Sequence, residues 1–97
     1  MQTTTEVFPN SYTIPVTWDT MDSAGRKSIF PGDKIVVDPK RKPKKGDVVL
    51  VKNTSEITIM EYQHPYLLTR STKDYKSIDI ILVDILGVVV QVIKTMI

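Results

Sequence analysis

Apolar and polar residues alternate along much of this chain with the two-residue period of a β-strand. The run "EITIMEY" (residues 56–62) is the clearest case. Ile57, Ile59 and Glu61 share one side, and Glu56, Thr58, Met60 and Tyr62 share the other. The runs "YTIPVTW" (12–18), "KIVVD" (34–38), "DVVLVK" (47–52) and "PYLLTR" (65–70) are also short and rich in strand-forming side chains. Turn residues separate them: Pro31-Gly32-Asp33, Pro39, Pro43, Gly46-Asp47 and Asn53-Thr54. No window carries apolar residues at sustained three-to-four spacing, so almost no helix is predicted. Short strands at regular spacing predict an all-β fold, a small barrel or a folded-over sheet.

The closing segment, residues 80–94, breaks the alternation. Ile80, Leu82, Leu86, Val88, Val90 and Val92 share one parity, while Ile81, Val83, Ile85, Val89 and Ile93 share the other. A strand apolar on both sides must be covered on both. Either a second subunit covers one side, or Gly87 bulges the strand so that each half buries a different face in one core. A combination of the two fits as well.

Length and composition narrow the class. The chain has 97 residues, enough for one core. Residues 1–12 read as an N-terminal arm or linker remnant, and 13–97 as the folded domain. With 41% hydrophobic residues, there is enough apolar surface to offset the entropy of ordering. Cysteine is absent, so disulfides and cysteine-based metal sites are ruled out, and a cytoplasmic location is expected. The start "MQTTTEVFPN" has neither the basic residues nor the apolar run of a signal peptide. The apolar tail is interrupted by Asp79, Asp84 and Gln91, and its uninterrupted pieces fall well short of the ~20 residues that span a bilayer. It reads as buried protein, with no membrane partner.

A net charge of +2 does not by itself imply nucleic-acid binding. Five of the six residues 40–45 are Lys or Arg. A phosphate-binding patch is one reading. The two prolines and the lack of interleaved aromatics favour a solvated loop between strands.

The order of the pieces is more specific than any one of them. "DTM", "FPGDKIVVDP", "KKGDVVLVK", "EITIMEY" and "ILGVVVQVIK" follow one another along the chain. This resembles the C-terminal domain of the LexA and phage cI-type repressor family, over roughly residues 14–94. The insert "DSAGRKSIFPGD" is more like the cI-type repressors than LexA itself. The resemblance implies a small all-β domain, a β-clip or SH3-like barrel of short, mostly antiparallel strands. It also implies a Ser–Lys peptidase site, in which a serine hydroxyl attacks a backbone carbonyl and a neutral lysine removes its proton.

Carried over position by position, the nucleophile falls on Thr20 and the base on Met60. Threonine keeps a hydroxyl, but a thioether cannot accept the proton. Lys52, on the preceding strand, is the nearest candidate amine to replace it. Trp18 stands where the family often has glycine, either plugging the cleft or serving as an interface anchor. The Ala24-Gly25 pair follows the nucleophile position, so it is not the family's scissile bond. The site is therefore expected to be degenerate, with no catalytic residue, metal or other cofactor. His64 is expected in a surface turn, and Asp33 and Asp47 as turn formers.

The leading expectation is a dimerisation or oligomerisation domain of a phage or prophage transcriptional repressor that does not cleave itself. Ile85, Leu86, Val88, Val90 and Val92 are the expected dimer contacts. Its partners would be a second copy, an antirepressor protein, and operator DNA only through a separate helix-turn-helix domain. Two alternatives remain. One is a stand-alone domain that pairs with a repressor or related protease. The other is an active peptidase that uses Thr20 with a displaced lysine.

Overall fold

A computed structural model describes residues 10–18, 21, 28–54, 56–70 and 76–94. The all-β expectation holds. Seven strands form one antiparallel sheet: β1 (Tyr12–Pro15), β2 (Lys34–Asp38), β3 (Val48–Asn53), β4 (Glu56–Gln63), β5 (Tyr66–Leu68), β6 (Ser77–Asp79) and β7 (Asp84–Ile93). Their order across the sheet is β1-β2-β7-β3-β4-β5-β6. No α-helix occurs among the described residues, and no helix is long and apolar enough to cross a membrane.

Tight turns join β3 to β4 and β4 to β5. Asn53 pairs with Glu56 across a two-residue loop, in which Thr54 adopts φ 52°. Two-residue hairpins favour such left-handed backbone because it matches the strand twist. Gln63 pairs with Tyr66 across His64-Pro65, whose peptide bond is cis. His64 is exposed in this turn, its ring 6.2 Å from that of Tyr62. Gly46 (φ 90°) turns the chain into β3, where the Asp47 carboxylate accepts the Lys44 N–H at 2.8 Å.

The sheet is buried on both sides at its centre. One cluster contains Val16, Met21, Ile29, Ile35, Val37, Val48, Leu50 and Ile59. The other contains Val49, Val51, Met60, Leu67 and Val88. Alternation along β3 and β4 divides their side chains between the two, which is why β3 reads as an unbroken apolar run.

The two-sided tail has a register explanation. Opposite β3, Leu50 pairs with Gly87 and Val51 with Ile85, so Leu86 is an extra residue. Opposite β2, Val36 pairs with Gln91 and Val37 with Val89, so Val90 is a second one. Each bulge shifts the parity by one. Leu86, Val89 and Val92 therefore pack on the first cluster, three residues apart, while Ile85 and Val88 reach the second. Gly87 sits at the first bulge, tight against β2. A Cβ there would lie 2.5 Å from Val37 Cγ1 and 2.9 Å from the Asp38 carbonyl oxygen.

Two details differ from the sequence reading. Residues 80–94 are not one strand. Ile80–Leu82 form a single 3-10 turn, whose first N–H groups need an acceptor, and the Asp79 carboxylate accepts the Ile81 N–H at 3.1 Å. Strand β1 also stops at Pro15 rather than running to Trp18. Beyond it, Val16 donates to the Asp33 carbonyl at 2.8 Å and accepts from Gly32 N–H at 2.9 Å, which brings the Pro-Gly-Asp turn against the chain.

Candidate functional site

A cavity lies beside Met60, the position to which the resemblance assigns the base. Val51 and Asn53 of β3, Glu56, Ile57, Thr58 and Met60 of β4, and Thr69, Lys76 and Ile78 from the β5–β6 arm line this cavity of about 340 Å³. Trp18 completes the lining. Met60 is only 3% exposed and packs in the second core cluster, so its thioether is part of the cavity's apolar base. Trp18 is half-buried against the first cluster. The indole thus borders the same cavity as Met60.

The segment leading to the site is anchored by Met21, the methionine of "DTM". Met21 is fully buried and bridges to Ile29, whose N–H donates to the Met21 carbonyl at 2.8 Å. Thr20, and Ala24-Gly25, lie outside the described residues.

Lys52 does not line this cavity. It is exposed on β3 between Val51 and Asn53, both of which line the cleft, and it is absent from the lining itself. The amine among the described lining residues is Lys76, which the sequence reading did not single out. Its backbone is tied to Thr69: the Lys76 N–H donates to Thr69 Oγ1 at 2.7 Å, and Thr69 N–H donates to the Lys76 carbonyl at 2.9 Å. The three-residue strand β6 that follows was too short to show as a periodic run.

Next to Met60, on the opposite face of β4, Glu61 is 6% exposed. A buried carboxylate needs charge-assisted partners. Arg70 supplies two, Nε to Oε1 at 3.1 Å and a terminal guanidinium nitrogen to Oε2 at 2.7 Å, and Gln63 donates to Oε2. The group fastens β4 to the residues after β5. The alternation held a signal for it, because Glu61 falls on the parity of Ile59, where a charge requires a partner. A second half-buried pair joins Lys94 Nζ to Asp33 Oδ2 at 2.8 Å. Asp33 also accepts the Phe30 N–H at 3.0 Å, as a turn former does, and Lys94 lies 5.0 Å from the centre of the Phe30 ring.

The residues expected at a dimer contact lie in different environments. Val88 is 2% exposed inside the chain's own core. Ile85 packs on the second cluster, and Leu86 and Val92 on the first. Val90, the bulge residue, is half-buried and belongs to neither cluster. It lines a groove of about 310 Å³ with Ile29, Val48, Val89 and Val92. The groove forms because β3 pairs with β7 only as far as Val88, while β2 takes the part from Val88 to Ile93. Beyond Val88, β7 has a strand partner on one side only among the described residues.

A family model described as Peptidase S24-like matches residues 3–90, most of the chain. The chain belongs to the Peptidase S24-like family. No curated protein matched the chain in a sequence search. In this S24-like domain, the position to which the LexA-type resemblance assigns the lysine base is Met60.

Proposed function

We propose that this S24-like domain is a non-cleaving oligomerisation module of a phage or prophage transcriptional repressor. The observation that carries the reading is Met60, buried at the base of the cleft where the resemblance calls for an amine. A hydroxyl with no base beside it loses about 10²–10⁴-fold in rate, and more where base and nucleophile act as a unit. Lys76 lines the same cavity but is exposed, whereas the buried position is held by sulfur.

The role left to such a scaffold is association. The one-sided half of β7 offers backbone hydrogen-bonding groups together with Val90 and the exposed Ile93. A second copy adding its own β7 there would satisfy both. In a repressor, that pairing would raise the effective concentration of a linked helix-turn-helix domain at a palindromic operator. Without self-cleavage, release from the operator would fall to another protein, an antirepressor.

The competing reading is a working peptidase in which Thr20 uses Lys76, supported by that amine's place in the cleft lining. Prolonged incubation at about pH 10, where ordinary lysines begin to lose their protons, tests both. The chain is expected to remain intact by mass spectrometry. Fragments that disappear in both Thr20→Ala and Lys76→Ala variants would establish the peptidase.

A further inference from the structure

The β2–β3 connection bears a concentrated positive charge. From Asp38 to Asp47 it carries five cations and two carboxylates, a net +3, so the rest of the chain has a net charge of −1. Composition alone favours a solvated loop; the structure adds shape. Both ends of the loop are tied to its own backbone. The Asp38 carboxylate accepts the Lys40 N–H at 2.9 Å, and that of Asp47 accepts the Lys44 N–H at 2.8 Å. The loop's two carboxylates are thus engaged in holding the turn, although Asp38 also lies 4.0 Å from Arg41. Arg41, Lys42 and Lys44 are exposed and surround one hollow of about 500 Å³, with Asp47 completing its wall.

We propose that this loop is a sequence-independent contact for the phosphate backbone of duplex DNA. Duplex DNA carries about one negative charge per 1.7 Å of its axis, a density suited to several cations held close together. The loop has no aromatic residue on which single-stranded bases would stack. Apart from Pro39 and Pro43 it has no apolar side chain, and none large enough to anchor in a lipid surface, since the exposed large hydrophobic residues among those described all lie elsewhere. The proposal rests on the loop alone and does not depend on the absence of cleavage or on the mode of dimerisation.

The test is fluorescence anisotropy of a labelled random-sequence duplex titrated with the protein over a series of salt concentrations. Three side chains around the hollow predict a log–log salt slope between about −2 and −3 per domain, at close to 0.9 per phosphate neutralised. The triple variant Arg41→Gln, Lys42→Gln, Lys44→Gln should lose at least about tenfold in affinity at low salt, with a flatter slope. Sedimentation and thermal unfolding of that variant should stay close to the parent, because the backbone caps at Lys40 and Lys44 do not use the replaced groups and the Arg41–Asp38 pair, 4.0 Å apart at the surface, contributes little. Equal binding by parent and variant, or a slope near zero, would overturn the proposal. So would tighter binding to anionic phospholipid vesicles or to poly-glutamate than to duplex at the same anion concentration.

Discussion

At the scale of single residues, Met60 decides most. It is 3% exposed and also forms the base of the cleft. Met60→Leu keeps volume and apolarity, and should change unfolding free energy in urea by less than about 1.5 kcal/mol. Met60→Ala should lower it by about 2–4 kcal/mol by enlarging a void already present. Met60→Lys is the informative change. Burial would weaken proton binding by the new amine in the folded chain relative to the unfolded one. The unfolded state then binds more protons, so stability should rise with pH until it levels off near the ordinary lysine value of about 10.4. Stability that stays flat from pH 7 to 10 would mean that the new side chain reaches water. The opposite facing of Met60 and Glu61 was legible because β4 alternates without interruption. Lys76 was not legible, since the arm that brings this residue to the cleft pairs through a strand of three residues.

At the scale of elements, β7 shows both what periodicity reveals and what it misses. Apolar residues on both parities signalled two covered sides, and Gly87 marked the bulge that supplies them within the chain. The second bulge, at Val90, had no such marker, because a bulge is a property of pairing with β2 rather than of any one residue. The turn at Ile80–Leu82 was hidden for a related reason. Three consecutive apolar residues suit a strand as well as a turn, and the capping Asp79 resembles an ordinary strand-end residue. Gly87→Ala tests the close approach. Two of the three nearest atoms to the added carbon are backbone, at 2.9 and 3.0 Å, and cannot swing aside. A loss of about 1–3 kcal/mol is expected from the thermal midpoint. A neutral result would show that β2 and β7 can separate without harm.

At the scale of the whole molecule, the proposed association divides the apolar residues of β7 into two sets with different predicted phenotypes. Val88 is sealed in the core, so Val88→Asp should leave no folded protein by circular dichroism. Val90 packs in neither core cluster and faces the groove. Val90→Asp should retain the fold yet shift sedimentation from dimer to monomer at micromolar concentration. A parent that sediments only as a monomer would remove the association, and a Val90→Asp dimer would move the contact elsewhere. Fold class could be read from strand-type runs and turn residues. The groove could not, because it arises where β3 and β7 part company, and that depends on their relative lengths and register.

The placement of β7 also bears on how the domain is synthesised. β2 and β3 follow each other in the chain but are not neighbours in the sheet; the last strand is inserted between them. Before β7 is translated, the β1–β2 pair and the β3–β6 meander share no strand pairing among the described residues, and each presents a bare edge. Cooperative closure must await β7, a topology of late, long-range contacts. A chain halted at residue 83 should therefore be digested throughout by a protease that spares the whole domain, whereas a resistant fragment would reveal that one half stands without its keystone.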